Sequence, residues 1–325
     1  MSKKYKVLIL GANGGIGKYL VDYFNELDRD DLEIIGTGRH PYNFENIKNF
    51  SYIQMDICNK EDFEKLPKDV YAVIALAGAM PARMKGYHPE QYINTNIVGM
   101  FNVLEYCRKN NVDRIIYTQS FGDIKDKAEK DILLKPDMEA DYNYGTDHSI
   151  YVVSKNTAVE LIKCYHVLHG LKYFIFRLPT VYSWSHNDSY YVDGILKKRA
   201  WRILIDKAIK GEEIEVWGDP TRQKDMVYVK DFCQMLYLSC IVDRDCGYYN
   251  VGSGVGTSLQ EQIEGMVEVF GDNKKSNIVF RPDKPNAPQY IMDISNAKDE
   301  LGYEPKYSYL DMLYDMKKEK ELGRF

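Results

Sequence analysis

The chain has 325 residues, 45% hydrophobic and 28% charged, with a formal net charge of −5. That make-up describes a globular protein with a sizeable core and room for two domains or lobes, without the basic field that nucleic acid or an anionic membrane surface would call for. No apolar run is long enough to span a bilayer.

The first apolar run begins at Val7, so no signal peptide is expected. Six cysteines (Cys58, Cys107, Cys164, Cys233, Cys240 and Cys246) are scattered without Cys-x-x-Cys pairs. Both points predict reduced thiols and a cytoplasmic protein.

Residues 7–10 read as a strand buried on both faces, followed by a glycine-rich turn and a helix opening at Lys18. Gly11 permits a tight turn, Gly14 lets backbone approach a pyrophosphate, and Gly17 lets the helix pack against the strand. The helix N-terminus then offers free N–H groups to the phosphates. Gly11, Asn13, Gly14, Gly15, Ile16 and Gly17 are therefore the candidate dinucleotide-binding loop.

A second strand, residues 32–36, leads into Gly38 and Arg39. An acidic residue at that tip would select NAD through the ribose 2′-hydroxyl. Glycine stands there instead, and the arginine after it favours NADP. A third strand, 51–55, runs into Asp56 and Ile57, and a fourth, 70–77, closes on Gly78. Strands alternating with helices predict an α/β fold, a Rossmann-type doubly wound parallel sheet whose ligands sit at the strands' carboxyl ends. That places Asp56 and Ile57 near adenine, and Ala77 and Gly78 where bulk would block the dinucleotide.

Residues 89–110 read as a helix with Ile93, Ile97, Phe101 and Leu104 along an apolar stripe; Asn96 within it is expected to bond neighbouring backbone. Strand five, 114–117, delivers Thr118, Gln119 and Ser120 to the sheet edge. The polar stretch 121–149 reads as a solvated surface loop with some helix. A helix over 150–169 opens on Tyr151-x-x-x-Lys155, which puts phenol and ammonium one turn apart on one face. A neighbouring ammonium is expected to lower the tyrosine pKa, so that the phenol exchanges protons near neutral pH. A second copy of the spacing, Tyr314 and Lys318, lacks that context and reads as a surface helix.

Taken together, these residues resemble the extended short-chain dehydrogenase/reductases, of the NAD-dependent epimerase/dehydratase type that modifies nucleotide sugars. The likeness rests on Gly11-x-x-Gly14-x-x-Gly17, Asp56-Ile57, Leu76-Ala77-Gly78, Asn96, Ser120, Tyr151-x-x-x-Lys155 and Phe176-Arg177-Leu178-Pro179. Further along, Val216-Trp217-Gly218-Asp219, the segment from Lys224 to Asp231, Tyr249-Asn250-Val251-Gly252 and Leu301-Gly302-Tyr303-Glu304-Pro305 agree with it. Ala75, Lys224 and Thr180 depart from it, standing where many members carry histidine, arginine and asparagine.

The resemblance implies an NAD(P)-binding domain over 1–178, with 226–256 returning to it. It implies a C-terminal substrate-binding lobe from 179–225, expected to be mostly helical to 223, and 257–325. It implies Tyr151 as acid/base, Lys155 tuning it and holding the nicotinamide ribose, and Ser120 bonding the sugar oxygen. It adds Asn96 to the cofactor set and Thr118, Thr180, Arg222, Lys224 and Arg281 to the substrate set, the cations facing a diphosphate. A homodimer is expected through the helices at 89–110 and 150–169, with Met100, Tyr106, Cys107, Val159, Ile162 and Tyr165 as apolar positions beyond one stripe.

The activity expected is NAD(P)-dependent nucleotide-sugar epimerase or 4-ketosugar reductase. The alternatives are a 4,6-dehydratase, a reductase of small carbonyls, or a non-catalytic NAD(P)-binding regulator. Dehydratases of the family carry Thr-Asp-Glu from the catalytic hydroxyl onward, whereas Ser120 is followed by Phe121 and Gly122, with Asp123 the one nearby carboxylate.

Overall fold

Val7, Leu8, Ile9 and Leu10 are all fully buried in the first strand, β1 (Tyr5–Leu10). Successive side chains of a strand point to opposite faces. Accordingly Val7 and Ile9 join one apolar core, and Leu8 and Leu10 the other. Burial of each side chain is worth about 1.5–3 kcal/mol, so the run is committed to the centre of a covered sheet. The computed structural model describes residues 5–325 apart from positions 43, 45, 46, 131, 187, 193, 194 and 273.

The sheet has seven strands: β1, β2 (Leu32–Gly38), β3 (Phe50–Gln54), β4 (Val70–Ala75), β5 (Arg114–Ser120), β6 (Lys172–Leu178) and β7 (Cys246–Asn250). Their spatial order is β7-β6-β5-β4-β1-β2-β3, with every pair parallel. The order reverses between β1 and β4, which opens a crevice at their carboxyl ends. On one face lie α1 (Gly15–Glu26) and α5 (Val229–Ile241), contributing Leu20, Phe24, Phe232 and Leu236 to the first core. On the other lie α2 (residues 89–109) and α3 (Ser149–His169), with Met100, Leu104, Val159 and Ile162 in the second.

The smaller elements complete the substrate side. Helix α4 (Ala200–Lys210) packs on α6 (Leu259–Phe270), which packs on α8 (Tyr309–Glu321); α7 (Ser295–Leu301) leans on α5. Ile214–Trp217 pairs in parallel with Ile278–Arg281. The carboxylate of Asp225, fully buried, accepts from the backbone N–H groups of Ser253, Gly254 and Met292 and from the Ser253 hydroxyl. It thereby ties three separate segments to one point. No helix among the described residues is long and apolar enough to cross a membrane.

Several expectations change. Strand β5 continues to Ser120 because residues 118–120 pair with Phe176, Arg177 and Leu178. Helix α2 is not regular: Ile93–Gly99 is π-helical, and Asn96 lies in that stretch. Residues 179–223 are not mostly helical, since α4 is preceded by the antiparallel pair Ser189–Val192 and Ile195–Lys198. Segment 121–149 is a mostly exposed surface stretch with short helical turns, as expected, but it is not solvated throughout: Asp123, Ile124 and Leu134 are fully buried, and Leu133–Leu134 pairs with Ile291–Met292. Met100, Tyr106, Cys107, Val159, Ile162 and Tyr165 all face the core of the chain itself. The large apolar residues that α2 and α3 leave exposed are Ile93, Val98, Phe101, Ile150 and Val153, with Val167 and Leu168 at the far end of α3.

Candidate functional site

At Gly11 the backbone takes φ +90°, and a Cβ there would stand 2.9 Å from the Ala77 nitrogen; at Gly17 it would stand 2.2 Å from the Gly11 carbonyl. No larger residue fits at either position, so β1, the β4 tip and α1 come together at backbone distance. Helix α1 starts with Gly14 as N-cap, without a side-chain cap or an acidic residue in its first turn. Its leading amides at Gly15, Ile16 and Gly17 have no helical acceptor and face an anion site of the pyrophosphate kind. The loop therefore fits a dinucleotide.

At the β2 tip, a Cβ on Gly38 would lie 2.3 Å from Asn13 Oδ1 and 2.5 Å from the Tyr52 hydroxyl. Tyr52 donates to the His40 carbonyl at 2.7 Å, and Gln54 Nε2 to the Arg39 carbonyl at 2.9 Å. An acidic side chain at position 38 would have to displace the tips of Asn13 and Tyr52. Arg39 is exposed and has no ion-pair partner among the described residues, and Lys18 Nζ lies over the Tyr42 ring nearby. Asp56 caps its own turn by accepting from Cys58 N at 2.9 Å, and Ile57 packs against Gly99 of α2.

The centre of the site is the meeting of β4, β5, α2 and α3. A Cβ on Gly78 would be 3.8 Å from Lys155 Nζ and 3.2 Å from Asn96 Oδ1. Asn96 accepts from Ala79 N at 2.8 Å and donates to Ala79 O and Ser154 Oγ, both at 3.0 Å. Its amide is thus fully engaged as a staple between the β4 tip and α3, which argues against direct contact with a cofactor. Ser154 donates in turn to the Tyr151 carbonyl at 2.8 Å.

Lys155 is only 7% exposed. Its Nζ rests 4.2 Å from the centroid of the Tyr117 ring, and burial lowers its pKa to about 7. Burial pushes the Tyr151 phenol up, and the Ser120 hydroxyl beside it pulls the other way. The tyrosine is therefore held above its ordinary pKa. This departs from the expectation from spacing, because burial is the leading cause at both groups and neither charge acts on the other. Thr118 is buried on β5, one step inside this group.

The substrate side needs more correction. Arg222 donates to the Ala287 carbonyl at 2.5 Å and to Glu129 at 2.6 Å, while Arg281 is paired with Glu215 and Asp283. Both are neutralised. Lys224 Nζ instead lies 5.5 Å from the centroids of both Tyr182 and Tyr290, with no carboxylate partner among the described residues. The Tyr290 hydroxyl is buried without a partner among the described residues; burial raises its pKa to about 12, with Lys224 opposing. Thr180 backbone lies beside it.

Two cations escaped the sequence reading. Arg83 follows the β4 tip, and the hairpin strand 189–192 packs against its short helix. Arg199, at the hairpin's foot, lies over Tyr190; burial holds its guanidinium below its ordinary pKa, and Arg83 pushes the same way against Asp188. The strand-end rule could have flagged Arg83. Nothing local marks Arg199.

The family model for the NAD dependent epimerase/dehydratase family matches residues 7–252. A Methanocaldococcus jannaschii protein that carries the provisional name UDP-glucose 4-epimerase is 28% identical over 305 residues, covering 92% of this chain and 93% of its own. The fold is shared with the UDP-glucose 4-epimerase of Thermotoga maritima, solved with UDP-glucose: TM-score 0.78, 23% identity, 98% of this chain and 99% of that one. It is shared too with the UDP-glucuronic acid 4-epimerase of Bacillus cereus, solved with NAD, at TM-score 0.73 and 23% identity over 98% and 99%.

The buried ammonium makes stability depend on pH. Unfolded, Lys155 binds its proton up to pH 10.5; folded, only up to about 7. Between these values the unfolded chain holds more protons, so the lysine's contribution grows as pH rises and is lost as pH falls towards 7, at most about 1.4 kcal/mol per pH unit. Melting temperatures of wild type and Lys155→Met, measured from pH 7 to 9.5, are expected to show wild type gaining on the variant as pH rises. A constant difference would contradict a buried, neutralising lysine.

Proposed function

This chain belongs to the NAD-dependent epimerase/dehydratase family, and from that premise we propose that it acts on a nucleotide sugar, as an epimerase or a 4-ketosugar reductase. It is an NAD(P)-dependent enzyme of the extended short-chain dehydrogenase type. The observation that carries the proposal is the convergence of Ser120, Tyr151 and Lys155 beside Gly78, at the carboxyl ends of β4 and β5.

Gly11, Asn13, Gly14, Gly15, Ile16 and Gly17 would hold the dinucleotide phosphates, Asp56 and Ile57 its adenine end, and Ala77 and Gly78 its nicotinamide half. When bound, the nicotinamide exchanges a hydride with a sugar carbon. Tyr151 as the neutral phenol would give its proton to a sugar carbonyl oxygen in the reducing direction, and as the phenolate it would take the hydroxyl proton in the oxidising one. Lys155, with a pKa near neutrality, supplies the charge that favours phenolate when Tyr151 must lose its proton. Ser120, with Thr118 behind it, aims a hydrogen bond at the same oxygen. For the diphosphate we assign Lys224 and Arg199 of the substrate lobe, read over 179–225 and 257–325, together with Arg83, cations with no bonded carboxylate among the described residues. Absence of an acid–base pair after Ser120, and the burial of Asp123, support epimerase or reductase over dehydratase.

The crowding at Gly38 and the free Arg39 favour NADP. An intact proton relay argues against a purely regulatory role. The exposed apolar residues Ile93, Val98, Phe101 and Val153 on adjoining helices support a homodimer through α2 and α3.

Three outcomes are expected. Tyr151→Phe keeps cofactor affinity and cuts turnover of the active nucleotide sugar by roughly two to four orders of magnitude; near-normal turnover in a panel of UDP-, GDP-, CDP- and dTDP-sugars and their 4-keto forms would refute the assignment. Arg39→Ala loses affinity for NADPH by about 1–3 kcal/mol and little for NADH; equal effects on both, read by titration calorimetry, would make it a surface charge. Light scattering at micromolar concentration gives a dimer mass, and a monomer mass would remove the interface.

A further inference from the structure

We propose that Asp123 and Arg177 form a buried strut that positions Ser120 and the helix bearing Tyr151, making Asp123 a positioning residue rather than an acid or base of the reaction. The proposal rests on the reading of Ser120, Tyr151 and Lys155 given above, but its geometry is independent of the substrate.

Asp123 is fully buried, and Arg177 is 3% exposed. Asp123 Oδ2 accepts from Arg177 Nη2 at 3.0 Å and from Gln119 Nε2 at 2.9 Å. Its other oxygen, Oδ1, is buried without a partner among the described residues. A carboxylate so enclosed presents neither oxygen to a sugar, so a direct role in water elimination has no geometric basis.

The pair reaches the catalytic groups along two lines. Gln119, engaged by Asp123, also donates to Asn156 Oδ1 at 2.5 Å and accepts from the Tyr248 hydroxyl. Asn156 follows Lys155 directly on α3 and donates to the Val152 carbonyl at 2.9 Å, one residue beyond Tyr151. The end of β5 is thus fastened to the first turns of α3. Ser120 lies between Gln119 and Asp123 in the chain, so its backbone is held on both sides. The Gly122 N–H donates to Ser120 Oγ at 3.2 Å, and a Cβ on Gly122 would meet Val152 at 2.7 Å, so the turn presses directly on α3.

The second line fixes the incoming segment. Arg177 donates to the carbonyls of Pro136 at 3.0 Å and Met138 at 3.3 Å while its guanidinium lies over Tyr248. The Asp141 N–H donates to the Asp123 carbonyl at 2.6 Å. The ion pair therefore anchors the start and, through Pro136 and Met138, the middle of the stretch that leads from the Ser120 hydroxyl to the Tyr151 helix. Because proton transfer and hydrogen bonding fall steeply with misplacement, loosening this anchor should act on the chemical step more than on binding.

The test compares Asp123→Asn, Asn156→Ala and the double variant with wild type in the full-length protein, using whichever nucleotide sugar wild type turns over. Asp123→Asn is expected to lower kcat by about 10- to 100-fold with KM and cofactor affinity within about threefold, and with both limbs of the pH–rate profile unmoved. Asn156→Ala gives a smaller loss of the same kind, and the double variant is no worse than Asp123→Asn, because both cut one chain of bonds. Hydrogen exchange should speed up in residues 121–149 and in the first turns of α3. An unchanged kcat, the loss of a pH limb, or losses that multiply in the double variant would each overturn the strut. If Asp123→Asn does not fold, Asn156→Ala decides alone, since it leaves the ion pair intact. A wild type silent on every nucleotide sugar would refute the proposed activity instead, and the exchange comparison would still decide the strut.

Discussion

A lysine amine buried with no carboxylate beside it among the described residues is the constraint around which this site is arranged. A lone charge out of water shifts its pKa until it can be neutral, and Lys155 falls to about 7. What surrounds it is therefore uncharged but electron-rich or polar: the Tyr117 ring face, the space over Gly78, and the amide of Asn96 bonded to Ala79 and Ser154. Each comes from a different element, so the lysine can be enclosed only when β4, β5, α2 and α3 are all in place. Fold and proton chemistry are here one requirement.

The same enclosure separates what sequence shows from what it hides. The βαβ rhythm, the glycine loop and the Tyr151/Lys155 spacing are local, and each appears where the pattern puts it: β1 at 5–10, α1 at 15–26 and α3 at 149–169. Spacing shows that Tyr151 and Lys155 share a helix face, but it carries no information on desolvation. The neighbouring charge alone points to a lowered tyrosine pKa, whereas burial raises it. Apolar residues such as Met100 and Ile162 likewise look available for a partner until the second core claims them.

Charged residues in loops are the least legible. Asp123 sits in a polar stretch, where the default is solvent, and its partner Arg177 is 54 positions away inside strand β6, so no local pattern pairs them. The paired strands Leu133–Leu134 and Ile291–Met292 are too short for any period to register. By contrast, the lack of an acid–base pair after Ser120 could be read directly, because it concerns residue types at fixed offsets. The structure supplies its counterpart: the one carboxylate nearby is held by a guanidinium and kept from solvent.

The cations sort by the same physics. Arg222 and Arg281 lie in segments rich in carboxylates and are neutralised by Glu129, Glu215 and Asp283. Lys224 is instead flanked by tyrosine faces, and Arg199 by Tyr190 with Arg83 across from it. Aromatic faces steady a cation without cancelling its charge, so these groups keep their attraction for an anion while remaining ordered. Arg83 and Arg199, from two separate segments, repel each other, and an anion placed between them would relieve that repulsion as well as adding contacts of its own.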